Sequence, residues 1–496
     1  MPEFFINGEA LPYEDGQTVM QAARKAGHYI PALCWHPQLT VPGNCRICVV
    51  EVEGDGGGWL DIACNMPVTR GMRVLTDSDK VRARRRDTMQ FITLNHPVDC
   101  GICDKAGECT LQDYHFTYNG STSISREIKV HATKHFDLSE RIVLDNERCI
   151  LCTRCVRFTR EVSKSRALGV IDRGDHSLIR PTEDGAFARD AYSDNVIDIC
   201  PVGALLSRRF LHQSRVWYLK PTPSVCPGCE RGCEIDVWHR KPEWAYQSLD
   251  AKFNTRIERV TPRARDAMSG ENNWVCNKAR DLADVFGRAR ACQPMLKGRV
   301  VSYAEALTQA RELLASAKRP VALISSWASN EELAAFASLL GPRVATRWVK
   351  TDVGPQPGEV VQDDFLILPD KNPNSAGARA IAAPLPEDAA TAFPAGCDLV
   401  FVWGEGCRFT TLPRGARIVH LNSWLQPENG HADVFVPIST MLERAGHYTN
   451  AQGSVGSFEA CFAKPAGVVD AARFFADWVG SAVAAKSMQP RAGVTP

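Results

Sequence analysis

The pattern of apolar and polar positions changes character along this chain. FFING at residues 4–8 is a short apolar run entering an Asn-Gly turn, and EALPY at 9–13 returns from it, which predicts a β-hairpin. TVMQAARKAG at 18–27 shifts to helical spacing and stops at a glycine. DKVRARRRDTMQFITLNH at 79–96 predicts a basic helix that packs through Val81, Met89, Ile92 and Leu94 and turns its arginines to solvent. GDGGG at 54–58 predicts a flexible hairpin tip, without the helix a dinucleotide loop needs. Beyond residue 293, PVALISS, DLVFVWGE and RIVHLNS read as buried strands, and NEELAAFASLLG predicts a helix among them, so this part predicts an α/β domain.

Length and composition narrow the picture. At 496 residues the chain predicts about three or four domains, and 44% hydrophobic with 23% charged residues is enough for each to bury a core. The formal net charge of +1 gives no electrostatic case for nucleic acid or a membrane surface. No run of 18 apolar residues offers a membrane span. The start MPEFFINGEALPYEDG lacks a charged-then-apolar signal pattern, which predicts a cytosolic chain that reaches a membrane only through a partner.

Cysteine is the outlier, with 19 in the chain. Spacings of two residues between them favour metal ligation or redox chemistry over disulfides. Cys292, Cys397, Cys407 and Cys461 are scattered and read as plain buried or surface thiols. The remaining fifteen lie between residues 34 and 276 and sort into groups. Cys34, Cys45, Cys48 and Cys64 run C-x10-C-x2-C-x15-C after hairpin and helix, the element order of plant-type ferredoxins with a longer first gap. Gly43 suits a loop whose backbone must approach sulfide closely, and zinc is the alternative ligand set.

NHPVDCGICDKAGEC supplies Cys100, Cys103 and Cys109 with His96 four residues ahead, a Cys3His set that alone fits structural zinc equally. RCILCTRCVRF gives Cys149, Cys152 and Cys155, closed by Cys200 in DICPVGAL after a gap of 44, the bacterial ferredoxin way of holding one cubane. The twin cubane is absent, since Thr159, Asp190, Ser193 and Val196 stand where its ligands would be. SVCPGCERGCEI gives Cys226, Cys229 and Cys233, with Cys276 in NNWVCNKAR after a gap of 42, where a zinc ribbon is the alternative. Fifteen cysteines and His96 make four sets of four, so iron–sulfur is the economical reading for the histidine set too. A neutral imidazole in place of one thiolate makes a cluster less negative, which favours a higher potential, as in Rieske centres.

The order from Cys34 through Cys276 resembles the large iron–sulfur subunit of the peripheral arm of NADH:quinone oxidoreductase, respiratory complex I, in CRICVVEVEG, LNHPVDCGICDKAGECTLQD, RCILCTRCVRF and ICPVGAL. The resemblance spans roughly residues 1–285. It implies a 2Fe–2S cluster at Cys34, Cys45, Cys48 and Cys64. It implies 4Fe–4S clusters at His96, Cys100, Cys103 and Cys109, at Cys149, Cys152, Cys155 and Cys200, and at Cys226, Cys229, Cys233 and Cys276. The fourth cluster occurs in bacterial members. ADVFVPISTMLERAGHYTNAQGSV is similar to the late segment of molybdopterin oxidoreductases, a domain that recurs in this subunit without its cofactor, so no molybdopterin is expected.

The implied fold is multidomain, α+β and α/β. Residues 1–78 form a plant-type ferredoxin-like β-grasp, 79–120 the His/Cys3 segment and 138–217 a bacterial-type ferredoxin-like domain. Residues 219–285 form a 4Fe–4S domain of the molybdopterin-oxidoreductase type, and 293–490 a shortened α/β scaffold of that family. By resemblance the chain is an electron-transfer subunit with no catalytic residue or substrate site of its own. Electrons come from an FMN-bearing NADH subunit to the Cys34 site, pass to the Cys149 site, then the His96 site, and leave to a two-cubane ferredoxin-like subunit. A small 2Fe–2S subunit and other complex I subunits are further partners, on the cytoplasmic face of the bacterial inner membrane. The Cys226 site lies off this line. Two other readings compete: the catalytic subunit of a formate dehydrogenase or iron-only hydrogenase, and a zinc scaffold. The first lacks the closely spaced later cysteines or the long cofactor domain it would need, and metal content separates the second.

Overall fold

The computed structural model describes residues 2–120, 122–245, 254–266, 271–272, 274–349, 359–386, 393–405 and 409–480. Cys407 and the stretch 481–490 of the expected carboxy-terminal domain lie outside the described residues. The chain divides into two units, one of residues 1–220 with 262–277 and one of 221–261 with 278–496.

The first unit opens with the hairpin expected from FFING, β1 (Glu3–Ile6) antiparallel to β2 (Glu9–Pro12). Thr18 then starts α1 (Val19–Lys25) with a reciprocal cap, its hydroxyl accepting from the Gln21 amide while the Gln21 side chain accepts from the Thr18 amide. β3 (Val49–Val52), β4 (Trp59–Ile62) and β5 (Arg73–Leu75) complete a five-stranded sheet in the order β2-β1-β5-β3-β4. GDGGG falls at the tip of the β3–β4 hairpin. Phe4, Ile6, Val50 and Val74 point into its core with Val19, Met20 and Ala23 of α1.

α2 (Asp79–Thr93) is the basic helix, capped by the Ser78 hydroxyl. Its face differs from the expected one in two respects. Arg82, Arg84 and Arg86 are exposed, but Arg85 is buried and donates to the Val49 carbonyl at 3.0 Å. Spacing explains it: Val81, Arg85 and Met89 are four residues apart, so they share the packing face. Ile92 and Leu94 are only half-buried.

α3 (Thr110–Tyr114) follows, then β6 (Phe136–Asp137) and β7 (Ile142–Leu144). α4 (Arg154–Glu161), the hairpin β8 (Leu168–Ile171) with β9 (Leu178–Pro181), α5 (Ala186–Arg189) and α6 (Asn195–Ile199) lead to β10 (Leu205–Ser207). β10 pairs with β7, so the segments on either side of this excursion are held edge to edge.

In the second unit, β11 (Leu219–Val225), β12 (Glu234–Arg240) and β13 (Arg259–Pro262) form a three-stranded sheet, while the short hairpin β14 (Ala264–Asp266) with β15 (Glu271–Asn272) belongs to the first. After α7 (Leu282–Phe286) comes the predicted α/β domain. Its strands are β16 (Met295–Leu296), β17 (Arg299–Val300), β18 (Pro320–Ser325), β19 (Ala345–Val349), β20 (Ala383–Pro384), β21 (Leu399–Trp403), β22 (Arg417–Asn422) and β23 (Val434–Pro437). They lie in the order β17-β16-β23-β22-β21-β18-β19-β20, parallel from β23 to β20. The apolar runs PVALISS, DLVFVWGE and RIVHLNS are its three central strands, buried on both faces as parallel strands require.

α8 (Tyr303–Ser316) and α9 (Asn330–Leu339) begin at Ser302 and Ser329, each with a capping box to a glutamate three residues on. α10 (Ser375–Ile381) packs on α9, and a last hairpin pairs β24 (Gly446–Thr449) with β25 (Val455–Phe458). α11 (Ala471–Val479) covers the sheet with Phe474, Phe475 and Trp478. Phe475 lies 4.9 Å from the Trp403 ring, 5.5 Å from Phe336 and 5.8 Å from Phe401, edge-on to each. Phe475→Ala therefore opens a cavity in this core, and denaturant unfolding of the chain should show this domain's transition destabilised by about 3–5 kcal/mol. A loss below about 1 kcal/mol would contradict the packing described.

Candidate metal centres

The β3–β4 hairpin builds the first quartet. Cys48 stands just before β3 and Cys64 just after β4, and the Ala63 amide donates to the Cys48 carbonyl at 3.0 Å. Cys34 and Cys45 come from the loop between α1 and β3, where the Cys34 amide donates to Cys45 Sγ at 3.4 Å. Gly43 has φ of +66°, as the sequence suggested, and Arg46 has φ of +60°, which a non-glycine residue adopts only at a cost. The thiols interact in pairs: Cys45 bonds Cys34, and Cys48 bonds Cys64, which pushes Cys45 and Cys48 well up and draws Cys34 down. Four soft donors thus already feel one another.

The third quartet sits on a tighter loop. Leu151 and Thr153 have φ of +51° and +57°, alternating with Cys149, Cys152 and Cys155. Such alternation turns successive amides toward a common point and makes an anion nest. The Leu151 amide donates to Cys149 Sγ at 3.4 Å. Cys155 lies in the first turn of α4, and Cys200 directly follows α6. All four line a single cavity walled by Leu144, Ile150, Ile179, Val202 and Leu205. Burial pushes the Cys149 thiol up to about 12, Cys152 to about 11 and Cys155 well above its ordinary range. Bare thiolates would be costly there, so a metal held by these thiols would have to displace their protons and supply the compensating charge.

His96 of the second quartet is half-buried, and among the described residues its Nδ1 has no hydrogen-bond partner. Burial lowers its pKa to about 4, leaving the neutral imidazole that ligates metal. Cys103 and Cys109 are buried and their thiols pushed up by desolvation, Cys109 to about 11, whereas Cys100 is exposed. Arg215 holds the loop between Cys100 and Cys103 through the carbonyls of Gly101 and Cys103. A Cβ on Gly203 would fall 2.1 Å from Cys103 Sγ, so the main chain past Cys200 presses directly on this thiol.

In the second unit, Cys226, Cys229 and Cys233 turn tightly, with the Cys226 amide donating to the Cys233 carbonyl at 2.8 Å and the Gly228 amide to Cys226 Sγ at 3.5 Å. Gly232, at φ of +63°, supplies the turn. Cys276 lies in the first unit, half-buried. Among the described residues, no three His, Cys, Asp or Glu side chains converge on a single-ion geometry. A multi-iron core asks for a wider spread of donors than one ion does.

Three sites of the first unit are tied together. Arg157 Nη2 donates to the carbonyls of Cys34 and Cys152, at 2.6 and 3.1 Å. Asn44 donates to the Leu151 carbonyl at 2.8 Å. On the other side, Cys109 Sγ reaches the Pro201 carbonyl at 3.8 Å. Asp99 and Arg148, the residues before Cys100 and Cys149, form an ion pair at 2.6 Å. The third quartet therefore contacts the ligand loops of both the first and the second. Sequence reasoning missed these ties, because Arg148, Arg154 and Arg157 look like ordinary surface cations; only the glycine of CPVGAL could have hinted at close approach.

Cys397 is buried, and Cys292 and Cys461 are half-buried. A cavity of about 400 Å³ in the second unit, lined by Ser325, Trp327, Trp403, Gly404, Trp424 and Tyr448 among others, opens at the carboxyl ends of β18 and β21, where the strand order reverses.

Comparison with known proteins bears on the first unit. Residues 2–79 match the family described as a 2Fe-2S iron-sulfur cluster binding domain, and residues 85–123 the NADH-ubiquinone oxidoreductase-G iron-sulfur binding region. Residues 139–206 match the ferredoxin-like domain of NADH-quinone oxidoreductase subunit 3. The chain is similar to the G-type subunit of NADH-quinone oxidoreductase from Rickettsia conorii, 34% identical over 345 residues, which cover 68% of this chain and 48% of that protein. It is also similar to the mitochondrial NADH dehydrogenase (ubiquinone) iron-sulfur protein 1 of Solanum tuberosum, 35% identical over 63% of this chain and 40% of that one. The match thus spans less than half of either relative's length. A chain of an NAD+-reducing NiFe hydrogenase solved in its H2-reduced state is 31% identical, covers 43% of this chain and 91% of its own length, and has a TM-score of 0.40.

The contact at Gly203 gives a sharp test. If the sets hold clusters, Gly203→Ala should displace Cys103 and lower the iron and labile-sulfide content of the anaerobically reconstituted chain by one cubane. Unchanged content would contradict the close approach.

Proposed function

We propose that over its iron–sulfur part the chain belongs to the family of G-type iron–sulfur subunits of NADH-quinone oxidoreductases, and that it is an electron-transfer subunit of such a complex. The residues named above would hold one 2Fe–2S and three 4Fe–4S clusters, which supply one-electron chemistry when bound. The chain's own residues bury most of the thiols, hold them in place and set the order of neighbours.

The observation that carries this reading is the continuity of three ligand loops, Cys34 to Cys152 through Arg157 and Cys200 to Cys109 through Pro201. It favours the order Cys34 site, Cys149 site, His96 site. Donors to the first would be the FMN-bearing NADH subunit, with a small 2Fe–2S subunit beside it, and the acceptor from the last a two-cubane ferredoxin-like subunit. Membrane attachment would come only through such partners, on the cytoplasmic face of a bacterial inner membrane. The described residues contain no helix long and apolar enough to cross a membrane. The Cys226 set would stand off the line, and the division at 1–78, 79–120, 138–217, 219–285 and 293–490 is the domain scheme this reading adopts. No catalytic residue or molybdopterin is assigned to it.

Low-temperature electron paramagnetic resonance of the reduced full chain tests the reading. It should give one binuclear and three cubane signals. His96→Cys adds a negative thiolate and should lower the midpoint of one cubane while leaving the binuclear signal in place. A chain without iron–sulfur signals would overturn the proposal.

A further inference from the structure

Two guanidinium groups lie in the seam between the first and third quartets, and among the described residues neither is bonded to a carboxylate. Arg154 and Arg157 stand three residues apart on α4, so they share a face of the helix. Arg157 is buried. Besides the Cys34 and Cys152 carbonyls it donates to the Thr40 carbonyl and, at 3.3 Å, to the Thr153 hydroxyl. Arg154 donates to the Trp35 carbonyl at 2.6 Å and the Ile199 carbonyl at 3.0 Å, so it too joins a residue beside Cys34 to one beside Cys200. Every one of these partners is a neutral oxygen. Glu161, whose field reaches Arg157, is bonded instead to Thr40 and Arg160. Burying a cation without an anion is costly, and a protein keeps one only where a negative group compensates it.

Resting on the electron-transfer reading, we propose that Arg154 and Arg157 are shared counter-charges for the clusters of the first and third quartets, and that they raise the reduction potential of both. Reduction adds one electron to a cluster already carrying net negative charge from its thiolates. A fixed cation beside it stabilises the reduced form more than the oxidised one, and a low-dielectric setting strengthens the effect. Because Arg157 bonds the backbone of a ligand of each set, one side chain acts on both ends of a single transfer step. It would keep the two potentials close, so that neither site traps the electron. Arg154 and Arg157 are positioning residues, since neither is a ligand.

The test is a redox titration of the reconstituted full chain followed by electron paramagnetic resonance, with iron and labile sulfide measured in every sample. Arg157→Met keeps the bulk and removes the charge. At an ambient potential equal to the original midpoint, the ratio of reduced to oxidised cluster should fall about tenfold for both the binuclear and the Cys149 signals, equal to 59 mV for one electron. The His96 cubane signal should stay in place, and Arg157→Lys, which keeps the charge, should restore most of the shift. Arg154→Met should move the same two signals in the same direction, and it decides the question if Arg157→Met fails to retain its clusters. Unmoved midpoints in variants of full iron content, or equal shifts in Arg157→Lys and Arg157→Met, would overturn the proposal. Absence of clusters from the unmodified chain would instead refute the electron-transfer reading.

Discussion

The constraint on which the first unit depends is the burial of sulfur donors that are stable as anions only in the presence of metal. Desolvation drives the thiols of Cys149, Cys152, Cys155 and Cys109 toward their protonated forms. The backbone around them is arranged for a charge they do not themselves carry. Left-handed residues at Arg46, Leu151 and Thr153 hold amides in conformations that side chains resist. That cost is sustained by the sheet and helices anchoring each loop: the β3–β4 hairpin for the first set, and α4, α6 and the β7–β10 pair for the third.

From this follows the central place of the third quartet. Its two halves, 149–155 and 200–203, face different neighbours. The first half meets the Cys34 loop through Arg157 and Asn44, and the second meets Cys103 and Cys109 through Gly203 and Pro201. The Asp99–Arg148 pair, largely withdrawn from water, fastens the approaches to Cys100 and Cys149 together. The three sets are thus separated only by short stretches of backbone and side chain. The carboxy-terminal sheet follows a different logic, with aromatic packing of α11 on parallel strands and a cavity at the strand ends.

Much of this was legible in the sequence, and the reasons differ by level. Local elements were readable where one signal dominated: Asn7-Gly8 for the first turn, helical spacing closed by Gly27 for α1, and largely apolar runs for β18, β21 and β22. Cysteine spacing grouped the donors because C-x2-C loops are local. The adjacency of the groups was not readable, since it arises from contacts such as Arg157 with Cys34 that span more than a hundred residues. Nor was the burial of Arg85, because a cationic side chain on a basic helix reads as solvated until its packing face is known. Left-handed Leu151 and Thr153 carry no sequence mark, glycine being the residue that signals such geometry.

Mössbauer spectroscopy of the chain reconstituted with iron-57 tests the central claim most directly, because it counts iron by the kind of cluster that holds it. The account predicts about fourteen irons per chain, roughly one-seventh in binuclear ferric sites and the rest in cubanes. Iron absent or held as isolated ions, with zinc filling the cysteine sets instead, would contradict it.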